Sequence, residues 1–429
     1  MSVSLLGLVL HSQSAIFREL EATLLSFEWM LLVILAIWCG CFIFLTFSPN
    51  DLPLIGLLLI TITMYFIGEA ASWKISDAII FFAGMTLGRG TQFLLKSDGR
   101  WKMENRENNS ESGNTITDIV NRKSPIENFS VGLVVLLAFS SWWHLDMAYA
   151  YHGPRWMGLW DNPNIYGILM GAGGVLAVGL LVGECRRRGD EFHFKNVEIG
   201  NRKSVRDSSR RLLRVFIFIA AGMMGVGLVM SYSRGAWLAT AVGLLYLAWS
   251  YGKLKWRVVL PFMLAAATVV IVFWHATADT DPWYLKRLDF SRPSAQHRVS
   301  AWRGAVQMMQ DHPFGVGWNK AVETYDKNYS PPEGGAAAIT MNSYLMLGTE
   351  LGLPGLVCFV AYVGLCYRKS PRPRLIEIGN RISEIGYQTA CLAGALVFVV
   401  AFWFDGGLFT LATASVFWIL LELGKQSSV

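Results

Sequence analysis

Ser231-Tyr232-Ser233-Arg234-Gly235-Ala236-Trp237 is a short polar corner set between two long apolar runs, residues 212–230 and 236–251. Runs of that length suit helices that cross the roughly 30 Å hydrocarbon layer of a bilayer. A guanidinium at Arg234 then sits at or just inside a membrane boundary, where an arginine costs about 2.5–3.5 kcal/mol at the centre and less near the rim. Ser233 is a good N-cap and Gly235 leaves the backbone open. The following helix therefore begins with unpaired N–H groups, and its positive dipole end lies beside Arg234. That combination suits an anion such as a phosphate. An arginine at this depth can also snorkel to lipid headgroups, and the corner alone does not choose between the two.

The same apolar pattern recurs along the chain. Of 429 residues, 53% are hydrophobic and 16% charged, against about 25% charged in a soluble domain. Apolar blocks fall at 29–48, 52–70, 77–95, 130–148, 163–184, 212–231, 236–251, 258–276, 342–366, 385–404 and 407–423. These predict an all-α, polytopic transmembrane bundle of eleven helices, or twelve if residues 1–27 hide another. The domain organisation that follows is an N-terminal interfacial segment, 1–28, and one transmembrane domain, 29–429. Residues 1–28 lack the basic start and small-residue cleavage site of a signal peptide and are expected to remain on the mature protein. The six cysteines lie in or at the ends of apolar blocks. They read as small buried side chains, with no disulfide framework or zinc site indicated.

Net charge is +6, but the basic residues gather in a few short loops. That is a topology signal and gives no case for nucleic acid. The segment from Cys185 to Arg214, with Arg186, Arg187 and Arg188 among its many cations, is expected in the cytoplasm. Alternation puts residues 96–127, the Lys253–Arg257 turn, the segment with Arg368 to Arg381, and the C-terminal Lys425 on that same side. Residues 96–127, with an Asn/Ser/Glu-rich centre at 104–114, read as a disordered cytoplasmic linker. Opposite lie residues 149–162, the Arg234 corner, the long segment 277–341, and the Asp405-Gly406-Gly407 turn.

The outer face holds the residues with chemical potential. His152, Arg155, Trp156 and Trp160 lead into Asp161-Asn162-Pro163-Asn164, where Asn162 can cap a helix whose first residue is Pro163. Residues 277–341 are far longer than the roughly 12–15 residues of an ordinary connection. Within them Ser294–Gln310 is predicted to be a helix, because Arg298, Trp302, Ala305, Val306 and Met309 recur at three- and four-residue spacing. Ser294 is its expected N-cap, His312-Pro313 its end, and Arg298 projects from its first turn. Residues 325–338, with Pro331-Pro332-Glu333-Gly334-Gly335, read either as a mobile lid or as a plain flexible loop. Asp279 and Asp281 could hold Mg²⁺ or Mn²⁺ in a metal-dependent version, although exposed aspartates are far more often solvated.

With these residues in view, the second half of the chain resembles the O-antigen ligase and O-antigen polymerase superfamily of bacterial membrane glycosyltransferases. The matching stretches are Ser233-Arg234-Gly235-Ala236-Trp237, Arg298 and Trp302 followed by His312-Pro313-Phe314-Gly315-Val316-Gly317, and Asn342-Ser343-Tyr344-Leu345 followed by Glu350-Leu351-Gly352-Leu353-Pro354-Gly355. Asn162-Pro163-Asn164 also looks like the family's turn, so the likeness covers roughly residues 160–366. The resemblance implies a helical bundle similar to the C-type glycosyltransferases, with its site on the outer face of the cytoplasmic membrane. It implies transfer of a glycan from an undecaprenyl diphosphate carrier to a saccharide or lipid-linked acceptor, as in lipopolysaccharide and related envelope polysaccharides. By the same resemblance Arg234 and Arg298 hold the donor diphosphate, with no metal ion and no other cofactor. Arg155, Asn162, Asn164, Arg303, Asn342 and Glu350 complete the expected substrate-binding set.

One position departs from the family pattern. Ligases of this family usually carry a histidine just before the asparagine of the third motif, and here that residue is Met341. A thioether cannot take a proton at neutral pH. His297, beside Arg298, is a chemically suitable replacement, with Asp161 and Glu333 behind it. A flippase or transporter of lipid-linked saccharides, or a degenerate assembly partner, stands as the alternative. Transporters tend to carry internal repeats and mid-membrane charges, whereas the distinctive charges here are expected at the outer rim.

Overall fold

The computed structural model describes residues 51–67, 77–107, 125–142, 155–160, 162–194, 204–251, 293–330, 342–368 and 380–425, with scattered helical positions between 34 and 43. Among them all regular structure is helical. In chain order the helices are α1 (Leu52–Ile67), α2 (Asp77–Glu107), α3 (Pro125–Trp142), α4 (Pro163–Phe194), α5 (Ser204–Met230), α6 (Arg234–Ser250), α7 (Pro293–Asp311), α8 (Ala321–Asn328), α9 (Ser343–Glu350), α10 (Gly352–Arg368), α11 (Asn380–Ala401) and α12 (Leu411–Gly424). A 3₁₀ turn, Gly407–Phe409, precedes α12. Three stretches, Asp77–Leu95, Pro163–Gly183 and Arg211–Met230, are long and apolar enough to cross a membrane, and five shorter apolar helices accompany them. The apolar block 258–276 and residues 1–28 lie outside the described residues.

α4 occupies the centre of the bundle and packs against α3, α5, α6 and α11, while α12 lies along α2. Small residues permit the close approaches. A β-carbon at Gly179 of α4 would stand 2.5 Å from Ala390 Cβ of α11, and one at Gly88 of α2 would meet the Trp418 carbonyl oxygen of α12 at 2.7 Å. α5 instead leaves one flank open, with Leu212, Val215, Phe216, Phe218, Ile219 and Val226 all exposed. In a bilayer such a face meets lipid chains at no cost, so apolar exposure there is the expected pattern.

Four boundaries differ from the sequence reading, each for a local reason. The block read as one span over 342–366 is two helices, broken at Leu351 because Gly352 adopts φ +72. α2 continues to Glu107, into the segment expected to be a disordered linker. Lysine, arginine and glutamate are good helix formers, and a helix that is already nucleated propagates through them. α7 begins at Pro293, so Ser294 is inside the helix and Arg298 lies two residues deeper than expected. Proline suits that first position because its missing N–H would be unsatisfied anyway. Residues 321–328 form α8, and Tyr325, expected to open a mobile lid, is 1% exposed in a small core with Ala301, Ala305 and Met308.

Deep in the bundle, far along α2 and α12 from the Asp405 turn, an ionic cluster joins four segments. Arg89 of α2 pairs with Asp51 and with Glu422 of α12, the latter at 3.3 Å, and Lys425 pairs with Asp51. The Tyr362 hydroxyl of α10 hydrogen-bonds Glu422, and Gln92 Nε2 donates to the Glu422 carbonyl at 2.8 Å. Arg89, Asp51 and Glu422 are at most 1% exposed, so each carboxylate needs its cation. The expectation that the distinctive charges stand only at the outer rim is therefore corrected. This second group is charge-balanced, with two carboxylates set against two cations.

Candidate functional site

The corner that opens α6 is a compact turn. Tyr232 sits at φ 48, a left-handed conformation unusual for a residue with a β-carbon. The Ser231 hydroxyl donates to the Leu228 carbonyl at 2.7 Å and accepts from Ser233 N–H at 3.2 Å. Trp237 Nε1 donates to the same carbonyl at 2.9 Å, tying the first turn of α6 back to the last turn of α5. Ser233 occupies the N-cap position with extended backbone, but its side chain makes no capping bond, contrary to expectation. Ser231 takes over the hydroxyl contacts of the corner. Arg234 is exposed at the first position of α6.

Arg155 links this corner to the start of α4. Its Nε donates to the Ser231 carbonyl and its Nη2 to Asn164 Oδ1, both at 2.8 Å, and the residue is 7% exposed. Asn162 caps α4 as predicted, with its Oδ1 accepting from Asn164 N–H at 2.9 Å. The Asn164 amide in turn hydrogen-bonds the carboxylate of Asp405. A continuous polar chain thus runs from Ser231 through Arg155 and Asn164 to Asp405.

Asp405 lies in the turn between α11 and the 3₁₀ segment, outside both helices, and is 9% exposed. Burial pushes its carboxyl up to about 6, against the opposing effects of the Asn164 hydrogen bond and the charges of Arg298 and Arg155. α9 holds the turn in place. Asn342 caps α9, its Oδ1 accepting from Tyr344 and Leu345 N–H at 3.0 and 3.1 Å. Ser343 Oγ donates to the Asp405 carbonyl at 2.9 Å and accepts from Leu408 N–H at 3.3 Å, while Ser343 N–H donates to the Phe402 carbonyl at 2.9 Å. On the other side Phe404 packs on Gly235, so the Asp405 turn abuts the Arg234 corner directly.

Arg298 is half-buried on α7, close enough to Asp405 for its charge to act on that carboxylate. α7 is seated by a backbone clasp built from two of the quoted motifs. Val316 and Gly317 N–H donate to the Thr349 and Glu350 carbonyls at 3.0 and 3.1 Å, and Leu353 N–H donates to the Pro313 carbonyl at 2.9 Å. Gly315 and Gly352 face each other at the crossing with φ +86 and +72. A β-carbon at Gly315 would meet the Glu350 carbonyl oxygen at 2.3 Å, and one at Gly352 would meet the Phe314 backbone at 2.3 Å. Only glycine fits both conditions.

The predicted residues therefore divide. Arg155, Asn164 and Arg298 gather at Asp405, and Arg234 begins the corner beside its turn. Asn162 and Asn342 serve as helix caps. Glu350 is fully buried at the far end of α9, where its Oε1 accepts from Asn319 N–H at 3.2 Å; its place is in the clasp and away from Asp405. Arg303 is exposed on α7, and five residues of helix turn it about 140° away from Arg298. His297 adjoins Arg298 on α7, but its side chain lies outside the described residues, as do Asp161, Asp279, Asp281, Glu333 and Met341. No group of three or more metal-ligating side chains occurs among the described residues. Sequence reasoning missed Asp405 as a site residue. Its signal was present as the lone carboxylate in a short turn between two apolar helices on the outer side.

Comparison with known proteins meets the same stretch. No curated protein matches the chain. A family model described as O-antigen ligase matches residues 219–360. From the corner at Ser231 to the clasp at Gly352, this part of the chain is thus similar to the O-antigen ligase family.

Proposed function

We propose that this protein transfers a glycan from an undecaprenyl diphosphate carrier to a saccharide or lipid-linked acceptor, at the outer face of a bacterial cytoplasmic membrane and without a metal ion. The family match supports an O-antigen ligase-like role in cell-envelope polysaccharide synthesis. The observation that carries the finer reading is the half-buried Arg298 and the buried Asp405 within electrostatic reach of each other, with the Arg234 corner packed against the same turn. In this reading the N-terminal segment lies on the membrane surface, the site faces outward, and the basic loops and C-terminus face the cytoplasm.

Donor diphosphate binds between Arg234 and Arg298. The acceptor hydroxyl attacks the anomeric carbon, a new bond forms from that carbon to the acceptor oxygen, and the bond to the phosphate oxygen breaks. Negative charge grows on the departing carrier diphosphate, and the two guanidiniums stabilise it where it develops. The acceptor proton passes to Asp405. With its carboxyl raised to about 6, Asp405 is a stronger base than an ordinary aspartate and still largely ionised at pH 7. This supplies a proton acceptor where Met341 cannot; His297 is the second candidate for that task.

The test is reconstitution in liposomes with an undecaprenyl diphosphate-linked glycan, read on gels for chains that lengthen or that move to a new acceptor. Lengthening assigns a polymerase and movement a ligase. No transfer with any saccharide acceptor, by protein that is folded, would remove the reading. An EDTA arm accompanies it: loss of transfer restored by Mn²⁺ would bring Asp279 and Asp281 into the mechanism.

A further inference from the structure

Glu350 closes α9, a helix of eight residues that is too short to cross a bilayer. The residue is 0% exposed. Its Oε1 accepts from Asn319 N–H at 3.2 Å, while Oε2 has no hydrogen-bond partner among the described residues. The backbone of the same residue belongs to the clasp, because its carbonyl accepts from Gly317 N–H at 3.1 Å. Asn319, which lies against the carboxyl, sits at φ 63, a left-handed conformation unusual outside glycine.

Among the described residues no cation offsets this carboxyl. α2 brings Asp77, the charge that acts on Glu350, with Arg89 about 18 Å further along that helix. α7 brings Arg298 at the Asp405 end, and Arg303 and Asp311, both exposed. The corner after α7 brings exposed His312 and half-buried Lys320, and α8 brings exposed Glu323, Asp326 and Lys327. α1 and the 3₁₀ turn carry no charged residue, and α10 carries Arg368 at its far end. Burial first, and then the Asp77 charge, push the Glu350 carboxyl well above its ordinary range, against the Asn319 hydrogen bond. A buried carboxylate that faces a second carboxylate without a cation sheds its charge by taking a proton.

We propose that a proton shuts the clasp: Glu350 is a neutral carboxylic acid in the closed protein, and its ionisation opens the crossing of residues 313–319 over α9 and unseats α7. Oε1, which accepts the Asn319 N–H, is the carbonyl oxygen of that acid, and Oε2 carries the proton. When the proton leaves to solvent, the new carboxylate stands uncompensated beside Asp77. Water reaches it only once Asn319 and Gly317 lift away, and lifting also releases Asn319 from its left-handed backbone. The consequence for Arg298, which rides on α7, rests on the diphosphate reading above; the latch itself does not.

Glu350→Gln tests this in the full-length protein in detergent, because the amide keeps the shape of the neutral acid and the acceptor for Asn319 but has no proton to lose. Infrared spectra of wild type minus Glu350→Gln at about pH 7 should show the C=O band of one protonated carboxyl, shifted in heavy water. The thermal midpoints give a second readout with a definite sign. Above about pH 4.5 the folded wild type holds a proton on Glu350 that the unfolded chain has released, so the residue's contribution weakens as pH rises until the folded carboxyl ionises. The midpoint of Glu350→Gln should therefore gain on wild type by about 1–3 °C per pH unit from about pH 5 to about pH 8. Buried glutamates can keep their proton to about pH 8–9, so proteolysis near residues 311–318 should rise in wild type, relative to Glu350→Gln, between about pH 7 and about pH 10. No protonated band at Glu350, a midpoint gap that stays constant with pH, or equal cleavage of the two proteins across that range would each overturn the latch. So would a Glu350→Gln protein that fails to fold, since a neutral side chain of the same shape would then not suffice. None of these readouts uses turnover, so their failure leaves the glycan-transfer reading standing, and failure of transfer leaves them intact.

Discussion

Gly235 and Phe404 touch so closely that a β-carbon at 235 would stand 2.9 Å from Phe404 Cβ. This contact joins the first turn of α6 to the turn that carries Asp405, two segments far apart in sequence. It explains why a glycine follows the arginine of the corner: the helix start is left open, and the neighbouring turn needs that space. The spacing between Arg234 and Asp405 is therefore set by backbone packing, which a single methyl group can disturb.

Gly235→Ala should accordingly cost glycan transfer more than stability. Phe404 must yield by a few tenths of an ångström, an overpacking cost of roughly 1–3 kcal/mol. The same shift moves Asp405 relative to Arg234, and small misplacements of reacting groups can lower rates about a hundredfold. Turnover of the reconstituted variant, compared with its thermal midpoint in detergent, separates the two effects. Full turnover would show that the contact does not set the site.

The clasp gives the opposite balance. Gly315→Ala or Gly352→Ala forces a side chain into φ +86 or +72 and into backbone atoms at 2.3 Å. Backbone strain of about 1–2 kcal/mol adds to overpacking of similar size, for roughly 2–5 kcal/mol in all. Because these backbone atoms have no flexible end to move aside, each variant should express poorly and melt early. Protease sensitivity near residues 311–318 in detergent-solubilised variants would locate the opening, and wild-type resistance would count against the clasp.

Arg89 supports a third expectation at the other end of the molecule. Arg89→Leu leaves Asp51 and Glu422 buried, with Lys425 as the remaining cation of the cluster. Removing one partner of a buried ion pair costs about 3–5 kcal/mol. The thermal midpoint should fall steeply, while the protein that remains folded keeps its transfer rate. Replacing Arg89 and Glu422 together by apolar residues of similar volume should recover part of the loss; a double variant as unstable as the single one would show that the charges do not act as a pair.

Much of this architecture is written in local chemistry that can be read before any coordinates. Apolar runs give the helices, Asn162-Pro163 gives the start of α4, and His312-Pro313 gives the end of α7, because capping and proline act within a few residues. The break at Leu351 was hidden inside a continuous apolar run, and its cause, Gly352 at φ +72, is imposed by Phe314 and Gly315 from a distant segment. Asp405 was equally hidden as a site residue. Its raised carboxyl comes from burial by the surrounding segments, against the lowering effects of Asn164, Arg298 and Arg155, which reach it from elsewhere in the chain, and no spacing in the sequence records that meeting. Glu350 shows the reverse: its motif is conspicuous in the sequence, yet its place is in backbone scaffolding.

The final expectation concerns Asp405 and pH. Its carboxyl is raised from 3.8 to about 6, so the ionised form that accepts a proton is depleted as pH falls through that value. Transfer should decline about tenfold per pH unit below about 6 in the kcat/KM profile, and Asp405→Asn should be slow with no acid limb there. A diphosphate bound at Arg298 offsets one of the charges that hold the carboxyl down, so the limb in kcat should lie at higher pH than the limb in kcat/KM. Stability gives an independent check with a definite sign. Between about pH 4 and 6 the folded protein holds a proton on Asp405 that the unfolded chain has released, so this residue's contribution weakens as pH rises across that window. Asp405→Asn should therefore gain thermal stability relative to wild type from pH 4 to pH 7, even though it loses transfer. Coincident acid limbs in wild type and Asp405→Asn would return the proton-accepting role to His297, whose own replacement by glutamine should then remove the limb.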